Sequence, residues 1–245
     1  MLSVAILTFN SARTLKKTLI STADLDEVII CDTGSEDATF EIAATFANVK
    51  FYRLPFQGFG PLRNLAAAKA RNDWILALDS DEVLSDELLL ELKKIKLDEG
   101  TAYNIPFLNF YNGRLIKGCG WHPESHLRLY NRKKTAFLPA LVHEELLRSN
   151  LKIQNLCGPI RHTPMLAIED FLKKIQRYST LWAEQNRGQK SSALKALGHG
   201  VFAFCKSYFL QKGFFYGREG LVISAYNGNC AFYKYLKLQE LNQTC

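Results

Sequence analysis

Trp74-Ile75-Leu76-Ala77-Leu78 is a short unbroken apolar run, and Asp79-Ser80-Asp81-Glu82 ends it abruptly in charge. A run of this length suits a strand buried on both faces, as in a parallel sheet covered by helices. Ser85 follows as an N-cap, with Asp86 and Glu87 placed in the positive first turn of a helix predicted to run to about Leu97. Upstream the same alternation repeats. Strands are expected at 3–9, 27–31 and 49–54, and helices at 11–22, 37–47 and 61–71. Alternating strands and helices of this length define an α/β protein with a largely parallel sheet.

Downstream the pattern changes. From Tyr103 to about His162 strands alternate with turn signals at Asn112-Gly113 and Ser149-Asn150, so the central sheet should be mixed. Beyond Ala167 the pattern is helical almost to the end. Phe171, Ile175, Tyr178 and Trp182 recur at helical spacing, and a further helix is expected over 192–211. The chain thus divides into a domain over 1–165, with halves 1–98 and 99–165, and a C-terminal helical extension over 166–245.

The 245 residues, 47% of them hydrophobic, can bury one large core with a smaller helical appendage. A net charge of +7 points to an anionic partner: nucleic acid, acidic membrane surface or phosphorylated substrate. Basic residues are dispersed and no RNA-binding motif is visible, so nucleic acid is not expected. The six cysteines stand singly without a CxxC pair, which reads as free thiols in a reducing cytoplasm. The N-terminus opens directly into Ser3-Val4-Ala5-Ile6-Leu7-Thr8-Phe9 without a basic n-region, and a cytoplasmic protein is expected.

Ligands of α/β sheets bind beyond the carboxyl ends of the strands. Four polar segments fall there: Thr8-Phe9-Asn10, Asp32-Thr33-Gly34-Ser35, Gly58-Phe59-Gly60 with Arg63-Asn64, and Asp79-Ser80-Asp81-Glu82. Asp79 and Asp81, one residue apart on extended backbone, can present both carboxylates to one side. Such a pair suits Mg²⁺ or Mn²⁺, which would also bind diphosphate oxygens. Asp32 could accept hydrogen bonds from a nucleobase or ribose, or equally anchor an Asx-type turn with Gly34 at positive φ. Arg63 could reach phosphate, or lie as a surface arginine on an alanine-rich helix.

In this order the four segments resemble the family 2 glycosyltransferases of GT-A fold, a Rossmann-like arrangement for nucleotide-diphospho-sugars. The resemblance covers roughly Leu2 to Asp98. It implies that Thr8, Asn10 and Asp32 contact the nucleoside, that Arg63 contacts phosphate or donor, and that Asp79 and Asp81 form the donor and metal motif. Gln57-Gly58-Phe59-Gly60, Arg63-Asn64, Asp79-Ser80-Asp81-Glu82 and Val142-His143-Glu144 together are similar to the lipopolysaccharide core glucosyltransferases that act on inner-core heptose. That narrower likeness implies UDP-glucose as donor and a lipopolysaccharide core or other glycolipid as acceptor. Ser80 stands where many relatives carry alanine.

Inverting transfer needs a carboxylate to deprotonate the acceptor hydroxyl. Glu144 or Glu145 can supply it; strand alternation lets only one face the site, and the resemblance favours Glu144. His143 and His162 are candidates for orienting that base or completing a metal site, and Trp121 offers an aromatic plane to a sugar. Each also has an ordinary structural use.

Between Gly198 and Tyr235, aromatics are interleaved with Lys206, Lys212, Arg218 and Lys234, too often interrupted for a membrane span. The pattern suits either an interfacial segment on anionic lipid at the inner face of the cytoplasmic membrane or a helical cap packed inward. Two other functions compete. A sugar-1-phosphate nucleotidyltransferase would want a glycine-rich basic loop after the first strand, where Thr8-Phe9-Asn10-Ser11 stands. A non-catalytic basic module would bind with steep salt dependence and no turnover.

Overall fold

The computed structural model describes residues 1–139, 145–148 and 151–243. Nine elements form the first half: β1 (Ser3–Thr8), α1 (Leu15–Ser21), β2 (Glu27–Asp32), α2 (Thr39–Ala44), β3 (Val49–Arg53), α3 (Phe59–Lys69), β4 (Trp74–Asp79), β5 (Glu82–Leu84) and α4 (Asp86–Lys94). Then come β6 (Thr101–Tyr111), β7 (Arg114–Leu115), β8 (Glu124–Asn131), β9 (Lys152–Asn155) and β10 (Ile160–His162). The helices α5 (Ile168–Gln185), α6 (Ala193–Cys205) and α7 (Gly217–Gln243) follow.

The sheet runs in the order β3-β2-β1-β4-β8-β6-β10-β5. Its first four strands are parallel, β8 pairs antiparallel with β4 and β6, and β5 pairs antiparallel with β10. This is the mixed sheet the sequence predicts. Alternate residues of the parallel strands face opposite sides. Val4, Ile6, Val28, Ile30, Leu76 and Leu78 pack with Leu15 and Leu19 of α1. Ala5, Leu7, Ile29, Cys31, Ile75 and Ala77 pack with Leu62, Ala66 and Ala67 of α3. Both faces are covered, which is why these strands read as continuous apolar runs. Pairing of Thr8 with Asp32 and of Leu7 with Asp79 brings the carboxyl ends of β1, β2 and β4 to one edge.

Several helix starts differ from expectation for local reasons. The first helix begins at Leu15 because the Ser11 carbonyl is taken by the amides of Thr14 and Leu15 in a tight turn. Its neighbour α2 is shortened at its start by Asp37, whose carboxylate accepts from the amides of Ala12 and Thr39. Gly58, at φ +104°, allows α3 to start at Phe59, a conformation that would strain any residue with a Cβ. Ser85 caps α4 as predicted, accepting from the Leu88 amide at 3.1 Å.

The chain forms two compact units. One comprises Met1–Phe107 with Glu124–His162, the other Leu108–Pro123 with Thr163–Cys245. Residues 108–123 fall within the half expected at 99–165, yet Ile116 and Cys119 are buried among Met165, Phe171 and Ile223 of the helical unit. Within that unit Phe171 of α5 meets Tyr226 of α7 edge-on at 5.2 Å. Gly200 of α6 and Gly228 of α7 sit at a close crossing: a Cβ on Gly200 would lie 3.0 Å from Phe232 Cβ and 3.2 Å from the Gly228 carbonyl. The helix expected over 192–211 ends at Cys205 and passes into a π-helical turn (Lys206–Leu210) and a 3-10 turn (Gly213–Tyr216). Among the described residues no helix is long and apolar enough to cross a membrane.

Candidate active site

The loop after β2 is organised around Asp32. Its Oδ1 accepts from the amides of Gly34 (3.0 Å) and Ser35 (2.8 Å), and its Oδ2 from Thr8 Oγ1 (2.9 Å) and the Ser35 hydroxyl. Burial alone would raise its pKa, but these donors hold the carboxyl below the ordinary aspartate value. A carboxylate has about four lone-pair sites. With donors from within the protein on each, Asp32 is the Asx-type anchor, the second of the readings its sequence left open. Thr8 is buried and gives its hydroxyl to that anchor. Asn10, at φ +50°, is exposed; its amide donates to Ser35 Oγ (2.7 Å) and its Oδ1 accepts from the Glu36 amide (2.9 Å). Of the three nucleoside candidates it alone lies at the surface.

Asp79, at the end of β4, is gripped by two guanidinium groups. Arg63 Nη2 lies 2.8 Å from Oδ1 and Arg128 Nη2 lies 3.2 Å from Oδ2. Arg63 is 2% exposed and also donates to the Leu78 carbonyl, so the surface-arginine alternative does not hold. Arg128 Nη2 also binds Glu82 Oε1 at 2.7 Å, while Glu82 Oε2 accepts from the Asp79 amide at 2.9 Å. Burial works against ionising Asp79, but Arg63, Arg128 and His162 outweigh it and hold its pKa well below the carboxylate range. Burial pushes Glu82 up to about 7; Arg128 pulls it down and Asp79 adds to the rise.

Asp81 lies beyond the turn, apart from these arginine contacts. His162 Nε2 stands 3.5 Å from its Oδ2. The cause is strand register: β10 pairs with β5 so that His162 is opposite Glu82, the residue after Asp81. Burial would lower the His162 pKa, yet the hydrogen bond and charge of Asp81, with Glu82 and Asp79 behind, raise it. Phe107 packs edge-on to His162 at 6.0 Å and lies 5.5 Å beneath the Arg128 guanidinium. Asp79 and Asp81 thus have different partners: the first meets two arginines, the second a histidine. Ser80 is more than a spacer, since its hydroxyl donates to Ser11 Oγ (2.8 Å) and its carbonyl accepts from Thr18 Oγ1 (2.9 Å).

Glu144 and His143 lie outside the described residues. Glu145 is exposed, and its carbonyl accepts from the Leu138 amide at 2.8 Å. The flanks of this segment are bridged at Phe137 and Leu146, and Asn64 clamps Phe137 with two hydrogen bonds of 2.9 Å. The Phe137 ring also lies 5.5 Å from the Arg63 guanidinium. Trp121 belongs to the helical unit and packs against its buried cluster.

The sequence reading missed Arg128 and gave Glu82 no part. An arginine within Leu127-Arg128-Leu129-Tyr130, where an apolar residue would suit the strand, was the available signal.

The geometry describes an α/β protein with an ionic cluster at the carboxyl ends of its parallel strands. Residues 3–140 match glycosyl transferase family 2, and the chain belongs to that family. It is accordingly a glycosyltransferase, of GT-A fold, and the nucleotidyltransferase and non-catalytic alternatives fall away. Over 98% of its length it is 29% identical to a glycosyltransferase of Rickettsia typhi, covering 87% of that protein. It is 27% identical to the lipopolysaccharide core biosynthesis glycosyltransferase LpsC of Rhizobium meliloti, over 99% of this chain and 92% of that one. Among solved structures, S. aureus TarS 1-349 in complex with UDP-GlcNAc is similar at 17% identity and a TM-score of 0.49, covering 96% of this chain and 91% of that one.

Proposed function

We propose that this chain transfers a sugar, with inversion, from a nucleoside diphosphate donor to a lipopolysaccharide core or other glycolipid acceptor at the inner face of the cytoplasmic membrane, and that the donor is UDP-glucose. The observation that carries the reading is the division of labour at the end of β4, where two buried arginines hold Asp79 and leave Asp81 beside His162. The similarity to LpsC along nearly the whole chain supports the acceptor class.

In this reading Asn10 and the loop built on Asp32 receive the nucleoside, Thr8 serving through Asp32. Arg63 and Arg128 fix Asp79 so that its carboxylate meets the donor in one orientation. Both guanidinium groups are already matched by Asp79 and Glu82, so they bring little spare positive charge to a diphosphate. A carboxylate and an imidazole in contact fit a divalent cation that completes its shell with phosphate oxygens and water. Mg²⁺ or Mn²⁺ would be held by Asp81 and His162 and would neutralise the departing diphosphate. Glu144, which follows the Asn64-clamped Phe137 in sequence, takes the proton of the acceptor hydroxyl, with His143 orienting it.

The test is nucleoside diphosphate release from a panel of nucleotide sugars, with and without a purified core glycolipid. Acceptor-dependent release from UDP-glucose is expected, falling about 100-fold or more in Glu144→Gln with donor binding retained. No release from any donor, or full activity in the variant, would contradict the assignment.

A further inference from the structure

We infer that the helical unit docks on an anionic bilayer through one apolar face formed by α6 and the two turns that follow it. The inference gives a surface to the glycolipid part of the reading above and rests on it for its biological purpose.

Soluble helices bury their apolar stripe, and α6 does the reverse on one side. Leu194, Leu197, Val201 and Phe202 are 53–80% exposed, while Ala196 and Gly200 are buried against the unit. Past the helix end Phe209, Leu210, Phe214 and Phe215 are exposed as well, Leu210 at 74% and Phe215 at 64%. Single exposed apolar residues are ordinary; so many within one short stretch mark a surface built for an apolar partner. Beside the stripe, α6 and α7 flank an open groove of about 400 Å³, lined by Leu197, Val201, Phe204, Ala225, Asn229 and Phe232.

Charge identifies the partner. From residue 186 to 218 the chain carries Arg187, Lys190, Lys195, Lys206, Lys212 and Arg218 and no aspartate or glutamate. Lys195, Lys206, Lys212 and Arg218 are exposed among the apolar residues. A second copy of the chain would bring like charges together over this face. An anionic leaflet instead offers headgroups to the cations and acyl chains to the rings, the arrangement of interfacial helices. The 13 residues of α6 rise only about 20 Å, short of a bilayer's hydrocarbon core, so the segment lies in the interface.

The full chain is tested by co-sedimentation with vesicles of phosphatidylcholine alone and of phosphatidylcholine with phosphatidylglycerol in equal parts. Binding to the anionic vesicles is expected, with little to the neutral ones. Leu210→Ser with Phe215→Ser, and separately Lys206→Glu with Lys212→Glu, should each weaken it about tenfold or more. All four positions are exposed, and unchanged circular dichroism and UDP binding would show the fold and donor site intact. Binding indifferent to both pairs of substitutions, or absent from anionic vesicles, overturns the proposal. So does a dimer in solution that Leu210→Ser with Phe215→Ser dissociates. The donor-binding measurement stands apart, so a failure here leaves the transferase assignment untouched.

Discussion

The carboxamide of Asn64 exchanges two hydrogen bonds of 2.9 Å with the backbone of Phe137, donating through Nδ2 to the carbonyl and accepting at Oδ1 from the amide. One turn of α3 thus carries both the arginine that grips Asp79 and the amide that anchors the segment leading to Glu144. Asn64→Ala removes both bonds and strands two backbone groups. A loss of about 1–3 kcal/mol is expected by urea denaturation. Turnover should fall with nucleotide affinity unchanged; a parallel loss of nucleotide affinity would show that Asn64 serves the donor loop instead.

Arg128 couples Asp79 to Glu82, and removing it leaves Glu82 without its cation and Asp79 with Arg63 alone. Arg128→Ala should destabilise the fold by about 3–5 kcal/mol, as for a broken buried ion pair. Replacing the ionic pair as a whole, with Arg128→Leu and Glu82→Leu, should cost less than the sum of the two single changes. A double-mutant cycle in urea measures this directly; strict additivity would mean that the 2.7 Å contact carries no coupling.

Glu27, at the start of β2, is buried and accepts from Ser3 Oγ (2.6 Å), Lys50 Nζ (2.8 Å) and the Arg71 amide (2.8 Å). Burial by itself would raise its pKa, but these partners lower it below the ordinary glutamate value. A depressed carboxylate stabilises the fold above its unfolded pKa of about 4.3, and that contribution disappears as pH falls through the lower folded value. Wild type should therefore lose more stability between about pH 5 and 3 than Glu27→Gln does, while the variant starts lower at pH 7. Parallel stability curves across that range would contradict the role given to Glu27.

The Ser80 hydroxyl donates 2.8 Å to Ser11 Oγ and ties the end of β4 to the loop after β1. Ser80→Ala should cost about 0.5–1.5 kcal/mol and leave nucleotide binding intact. A loss of binding would make this hydroxyl part of the donor site rather than a brace for it.

What the sequence made legible follows from which interactions were local. Strands β1, β2 and β4 could be read because each is buried on both faces, and the strand-end segments because an apolar run breaks into polar residues at a fixed place. Ser85 could be read because its cap bond spans three residues. Arg128 could not, since its partnership with Asp79 and Glu82 depends on β8 lying antiparallel beside β4, about fifty residues away. His162 was singled out by type, but its place beside Asp81 is set by the register of β10 on β5. The C-terminal stretch read as helical almost to the end, but the boundaries of α7 within it did not show, because Tyr226, Phe232, Tyr233 and Tyr235 give it aromatics on more than one side and blur the helical period. Glycines that let helices cross closely, such as Gly200 and Gly228, carry no periodic signal at all.

A divalent cation held by Asp81 and His162 would bind the donor's diphosphate, with Asp79 held by Arg63 and Arg128. Isothermal titration of the purified chain with UDP, UDP-glucose, GDP-mannose and ADP-heptose, with and without Mn²⁺, tests it when repeated on Asp81→Asn. Uridine nucleotide binding that requires Mn²⁺ and is lost in Asp81→Asn is the expected result. Equal binding with and without Mn²⁺, or undiminished metal-dependent binding in the variant, would contradict it.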